Sequence, residues 1–87
     1  MEKTEIINKL RDRAERNVSM AARLFNDFIE SDNPVESEHF RSEHYRYIDR
    51  AYEDLNLLNE LGLISEAEVE IFMGDMLCKV RRYPDDV

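Results

Sequence analysis

The sequence predicts an all-α fold, an antiparallel three-helix bundle with up-down-up topology, two long helices and one shorter helix. Apolar residues recur at every third or fourth position along most of the 87 residues, which is the spacing of an amphipathic helix. The chain contains only two glycines and two prolines, so few positions can interrupt a helix. Stop and start signals divide it into helices of about residues 4–30, 34–61 and 66–82. No linker separates them, so residues 1–87 form a single helical domain.

The first two helices are predicted to meet at a tight turn. The apolar stripe of the first helix contains Ile7, Leu10, Ala14, Val18, Ala21, Phe25 and Phe28. A residue that precedes proline avoids the α region, so this helix must end by about Ser31. Asn33 is suited to cap the second helix and Pro34 to begin it. Glu36, three residues after Asn33, is placed to complete a capping box.

The second turn is signalled by the sequence from Leu61 to Glu68. The second helix carries the stripe Phe40, His44, Tyr47, Ile48, Ala51, Leu55, Leu58 and Leu61. Gly62 can adopt the left-handed conformation that ends a helix in a Schellman motif. Ser65 and Glu68 then predict a capping box at the start of the third helix. That helix has its own stripe of Val69, Phe72, Met73, Met76, Leu77 and Val80, with Lys79, Arg81 and Arg82 at its carboxyl end and Pro84 beyond it.

Composition and charge exclude several classes of function. The net charge of −8 and pI of 4.7 disfavour nonspecific binding to nucleic acid or to anionic membranes. No uncharged run is long enough for a membrane span, and no leader pattern precedes the first helix. The chain lacks a nucleophile elbow, a glycine-rich phosphate loop and paired cysteines. We therefore expect a cytoplasmic protein that is not an enzyme and has no cofactor.

The difference in helix length predicts an exposed contact surface. The third helix spans roughly 25 Å and the first two about 40 Å, so the end of the hairpin near Asn33 lacks a third layer. Five apolar residues lie there, and we call them the tip patch: Phe25, Phe28, Ile29, Val35 and Phe40. Exposed apolar patches usually mark interaction sites. We expect a second copy of the chain, in a homodimer, or another protein to cover this patch.

Three further surfaces are candidates from the sequence. Residues 1–30 are electrically neutral, whereas residues 31–60 and 61–87 carry −5 and −3. Glu53, Asp54 and Glu60 could therefore form an acidic surface that occupies the nucleic-acid-binding groove of another protein. The third helix also presents Ile71, Gly74 and Cys78 away from its core stripe.

A metal site is the third alternative. Glu36, His39 and Glu43 lie on one side of the second helix, in the Glu-x-x-His pattern that di-iron helical bundles use. This triad would need ligands from the first helix, or from a second copy of the chain, to complete a site.

The segment Leu61–Glu68, with a helix on each side, resembles the short helix-turn-helix pattern of small oligomerising modules and of many phage and mobile-element proteins. A compact acidic helical chain without catalytic groups also resembles, in type, small phage inhibitors of host machinery, including anti-CRISPR proteins. The resemblance implies a regulator or inhibitor that acts by binding a partner protein.

Overall fold

The structure, a computed structural model, describes residues 2–80, with the side chains of residues 2–79. It contains three α-helices, α1 (Lys3–Glu30), α2 (Pro34–Glu60) and α3 (Glu66–Val80), and no strand within the described range. The predicted all-α class is confirmed, and the described helix ends lie within one residue of the predicted ends, apart from the end of α3. The predicted contribution of Arg81, Arg82 and Pro84 to that end lies outside the described residues.

The turn between α1 and α2 is built by Asn33. Its Oδ1 accepts hydrogen bonds from the amides of Val35 at 2.9 Å and Glu36 at 3.4 Å, which confirms Asn33 as the N-cap. Ser31 is extended, with φ −77° and ψ 130°, so α1 has ended before this cap begins. The Asn33 amide donates to Ser31 Oγ at 3.3 Å. Ser31, rather than the expected Glu36 carboxylate, therefore satisfies this amide.

The turn between α2 and α3 confirms the predicted Schellman motif and capping box. Gly62 has φ +75°, its amide donates to the Asn59 carbonyl at 2.9 Å, and the Leu63 amide donates to the Leu58 carbonyl at 3.0 Å. Ser65 Oγ accepts from the Glu68 amide at 3.1 Å, and Glu68 Oε1 accepts from the Ser65 amide at 3.0 Å. These four hydrogen bonds set where α2 stops and α3 starts.

Leu61 does not belong to the apolar stripe of α2, contrary to the sequence prediction. It follows the last residue of the helix, and 56% of its surface is exposed. The chain reverses at Gly62, so the next apolar residues turn back toward the core. Ile64 is buried and Leu63 packs against the buried cluster, and these two residues take the place expected for Leu61.

The main cluster of buried hydrophobic residues lies in the part of the molecule where all three helices meet, and Ala21 and Ala22 of α1 are buried closer to the first turn. The buried members of the cluster are Leu10, Ala14, Val18, Ala51, Leu55, Leu58, Ile64, Val69, Met73 and Met76. The cluster extends no further toward the first turn than Val18 on α1 and Ala51 on α2. The 15 residues of α3 span about 22 Å, whereas α1 and α2 span about 40 Å each. The part of the hairpin near Asn33 therefore lies outside the main core.

Beyond the main core, the contacts that join α1 to α2 include two hydrogen bonds and the ring contact of Phe25 with His44. The first hydrogen bond involves His44, whose ring is buried and whose Nδ1 lies 2.8 Å from the Ala21 carbonyl oxygen. Closer to the turn, Ser37 Oγ donates to the Phe28 carbonyl at 3.4 Å. None of the helices within residues 2–80 is both long enough and apolar enough to cross a membrane.

Candidate functional site

The tip patch lies in the part of the hairpin that α3 does not cover. Its three phenylalanines are half-buried, whereas Ile29 is 58% exposed and Val35 is 79% exposed. Both aliphatic side chains sit at the ends of helices next to the first turn, where neither the core cluster nor α3 reaches. The patch thus combines partly packed aromatic rings with two aliphatic side chains that face water.

Aromatic stacking fixes the α1 side of this patch. The ring centroid of Phe25 lies 6.2 Å from that of Phe28 and 5.3 Å from that of His44. Tyr45, which is 58% exposed, meets the edge of the His44 ring at 5.1 Å. Because a carbonyl oxygen only accepts hydrogen bonds, the contact with Ala21 requires the proton of His44 to be on Nδ1. The buried His44 ring thus packs against the rings of both Phe25 and Tyr45.

The α2 side of the patch is less closely joined to it. Phe40 packs against His39, with ring centroids 6.0 Å apart. Val35 lies in the first turn of α2, where it is the most exposed of the large apolar residues described. The structure therefore brings Phe25 and Phe28 into direct contact and leaves Val35 at the margin of the patch.

The expected acidic surface is not formed as predicted, because Asp54 is buried. Only 8% of its surface is exposed, while Glu53 and Glu60 are exposed. Arg13 Nη2 approaches Asp54 Oδ1 at 3.5 Å, and Asn17 Nδ2 donates to Asp54 Oδ2 at 3.5 Å. A carboxylate that loses its water needs such partners. Asp54 is thus a structural residue that links α2 to α1.

The groove around Asp54 is a site that the sequence analysis missed. It is open to solvent, holds about 450 Å³ and is lined by Arg13, Arg16, Asn17, Arg50, Glu53 and Asp54, which we call the arginine groove. Arg13 and Asn17 are four residues apart on α1 and so lie on one face, which was the available signal. Their partner on α2 could not be identified from sequence spacing alone.

Two contacts between α1 and α3 were also not predicted from the sequence. The Arg11 guanidinium lies 4.6 Å from the centroid of the Phe72 ring on α3. Lys79 of α3 pairs with Glu15 of α1 at 3.4 Å. These two contacts join the surfaces of α1 and α3 beside the buried residues of the core.

The proposed metal triad is not assembled in the structure. Within residues 2–80, no group of three or more His, Cys, Asp or Glu side chains is placed to hold a metal ion. Glu43 instead pairs with Arg46 at 3.3 Å on the same helix. Glu36 is exposed in the first turn, and His39 packs on Phe40. The single Glu-x-x-His pattern therefore lacks the facing ligands that a metal site requires.

The outer face of α3 is exposed, as its sequence pattern indicates. Ile71 is 57% exposed, and Gly74 and Cys78 are exposed as well. A Cβ atom built on Gly74 would meet nothing within 4 Å, so no close backbone contact explains the glycine within the described part of the chain.

One ionisable group at the junction of α2 and α3 is perturbed. Burial raises the pKa of the Tyr52 phenol above its usual value of 10.0, and the nearby Glu70 carboxylate raises it further. Tyr52 donates its hydroxyl proton to Glu70 Oε2 at 3.5 Å. Both effects favour the neutral phenol in the folded protein.

Comparison with known proteins provides no family for this chain. No protein-family model, no curated protein and no solved structure matches it. The function must therefore be argued from the surfaces of the molecule.

Proposed function

We propose that this protein is a noncatalytic helical module that acts through protein–protein contact, and that the tip patch is its contact surface. The observation that carries the proposal is the exposure of Ile29 and Val35 beside half-buried aromatic rings, beyond the reach of α3. Apolar surface of this kind gains free energy when a partner removes it from water.

The up-down-up order of the helices is part of the proposal. In this order the turn between α1 and α2 lies at the opposite end of the bundle from the turn between α2 and α3. Contacts between α1 and α2 pair Phe28 with Ser37 and Asn17 with Asp54. Contacts between α1 and α3 pair Arg11 with Phe72 and Glu15 with Lys79. As the residue number increases along α1, the number of the contacting residue on α2 decreases and that of the contacting residue on α3 increases. This pattern supports an antiparallel hairpin of α1 and α2, with α3 parallel to α1.

The proposed first partner is a second copy of the chain. A two-fold axis through the tip would place the same residues on both sides of the interface, and such an arrangement closes on itself. Two hairpins packed together would also supply at the tip the helical layer that α3 supplies at the other end.

The magnitude of the apolar burial indicates a weak dimer. Complete burial of an aliphatic side chain contributes about 1.5–3 kcal/mol. Ile29 and Val35 are already partly buried, so each would contribute roughly 1–2 kcal/mol of this. The four side chains of a dimer would thus provide about 4–8 kcal/mol, at the lower end of the cost of association. Tip aromatic rings must supply the remainder, and we expect dissociation in the micromolar range or above.

A regulatory or inhibitory role toward another protein is part of the same proposal. The net charge of −8 favours encounter with a basic partner surface, and the resemblance in type to small phage inhibitors agrees with such a role. A cytoplasmic location is the expected setting. The decoy alternative has less support than protein–protein contact through the tip patch, because Asp54 is buried and only Glu53 and Glu60 of its three residues are exposed.

Sedimentation equilibrium tests the proposal with a matched pair of variants. Ile29 and Ile71 are exposed to almost the same extent, 58% and 57%, on opposite parts of the molecule. Ile29→Asp should shift the wild-type dimer to monomer, because it introduces a charge into the apolar contact. Ile71→Asp introduces the same charge on α3 and should leave the dimer intact.

Two outcomes would contradict the proposal. A wild-type protein that stays monomeric at millimolar concentration and binds no apolar dye would show that the tip patch has no affinity for apolar surface. Equal loss of dimer in the two variants would show that the effect comes from charge and not from the position of the patch.

A further inference from the structure

We propose that the arginine groove binds a compact oxyanion with at least two negative charges, of the phosphate or pyrophosphate type. The groove is separate from the tip patch and is formed where α1 and α2 meet near Asp54. The inference rests on the charge of the groove, the way its guanidinium groups are held and the chemistry of its lining.

The charge of the groove is opposite in sign to that of the whole chain. Three arginines and two carboxylates line it, which leaves one positive charge in excess, whereas the chain carries −8. Solvent ions screen exposed charges beyond about 8–10 Å at physiological salt. An anion inside the groove therefore interacts mainly with the groups that line it, which are the three guanidinium groups and the carboxylates of Glu53 and Asp54, and only weakly with charges farther away.

Each of the three arginine side chains makes one contact with another residue. Arg13 is anchored by the buried Asp54 carboxylate at 3.5 Å. Arg16 donates its Nε proton to the Asp12 carbonyl at 3.4 Å, so its two terminal nitrogens remain available. Arg50 lies over the Tyr47 ring at 5.1 Å. Side chains that are already positioned lose less conformational entropy when a ligand binds.

The composition of the lining selects the kind of anion. Arginine presents paired donors that match the oxygens of a phosphate group. All six lining residues are charged or polar, so a nucleobase or an acyl chain would find no apolar side chain to pack against. Sites for larger organic ligands are lined mainly by apolar and aromatic residues. A compact, highly charged oxyanion therefore matches the all-polar lining of the groove.

One of the two carboxylates of the groove, that of Glu53, allows a test in which a substitution should increase the affinity for the anion. Glu53 is exposed and makes no ion pair within residues 2–80. Its side chain adds a negative charge to the groove and has no hydrogen bond or ion pair within residues 2–80. Replacing it with a neutral isostere should therefore strengthen anion binding and leave stability unchanged.

Isothermal titration with pyrophosphate, at constant ionic strength, measures the predicted changes. Arg16→Gln and Arg50→Gln should each weaken binding about ten-fold, since each removes a charged donor. Glu53→Gln should tighten it about two- to five-fold, as expected for removal of one nearby exposed charge. Arg41 is the matched control, because it is exposed and pairs with Glu38 on its own helix at 3.8 Å. Arg41→Gln changes the net charge equally and should bind pyrophosphate as the wild type does.

Several results would overturn the proposal. The first is an absence of heat of binding for both phosphate and pyrophosphate with the wild type. The second is an equal loss of affinity in Arg41→Gln and in both groove variants, which would indicate a general charge effect. The third is tighter binding of a single-stranded oligonucleotide than of pyrophosphate at equal phosphate concentration, which would indicate a nucleic-acid surface instead. Thermal unfolding of each variant separates loss of the site from loss of the fold.

Discussion

The two glycines should respond to the same substitution with opposite signs. Gly62 has φ +75°, a conformation that costs a residue with a side chain about 1–2 kcal/mol. A Cβ atom at Gly62 would meet nothing within 4 Å, so no steric clash adds to this conformational cost. Gly74 lies inside α3 and also has no atom within 4 Å of a Cβ. Gly74→Ala should therefore stabilise the protein by about 1 kcal/mol, the difference in helix propensity.

Urea unfolding and thermal unfolding of the two variants measure these effects. We expect Gly62→Ala to lower the melting temperature by roughly 4–15 °C and Gly74→Ala to raise it by roughly 4–8 °C, from the usual scaling for a domain of this size. The dependence of the unfolding free energy on urea should stay the same in both, because neither substitution changes the buried area.

The two variants also test separate parts of the reasoning. An unchanged stability of Gly62→Ala would refute the left-handed end of α2 and with it the Schellman motif. Destabilisation by Gly74→Ala would show that the outer face of α3 packs closely against something in solution. If that destabilisation vanished at low protein concentration, α3 and not the tip patch would be the self-association surface.

The remaining predictions concern the core, a cap and an ionisable group. Leu55 is completely buried, so Leu55→Ala should lower the unfolding free energy by about 2–5 kcal/mol, measured by urea denaturation. Ser65→Ala removes the acceptor of the Glu68 amide and should cost about 1 kcal/mol, with helicity followed by circular dichroism; a neutral result would refute the capping box. The raised pKa of Tyr52 means that its stabilising effect is complete below pH 10.0 and is lost as the pH rises through the folded-state pKa. Tyr52→Phe should remove this alkaline loss of stability, and an identical pH dependence in wild type and variant would contradict it.

The sequence was most informative where short-range physics decides the structure. Asn33, Gly62 and the pair Ser65 and Glu68 are each determined by neighbours within five residues, and their predicted roles are found in the structure. Helix lengths follow from these signals, and the uncovered part of the hairpin follows from the lengths. Such local constraints are readable because they do not depend on how the helices pack.

The sequence was least informative where contacts join different helices. Asp54 was expected on an acidic surface, yet it is buried against Arg13 and Asn17. The position of Asp54 next to Leu55 on the margin of the apolar stripe was compatible with either environment. Whether a residue at such a margin meets water or another helix depends on the rotation of both helices, which periodicity alone does not determine. The arginine groove was missed for the same reason.

The central claim, that two copies meet through the tip patch, is tested most directly by distances between spin labels. Asp32 is exposed in the turn beside the patch, and Glu66 is exposed at the start of α3, where the second turn ends. Each would be replaced by cysteine in a Cys78→Ser background and labelled, and pulsed electron resonance would measure the distance between copies. We expect a short distance for labels at position 32 and a much longer one for labels at position 66, since the described part of the molecule extends over 47 Å. A shorter distance at position 66 than at position 32, or no distance between copies at either position, would contradict it.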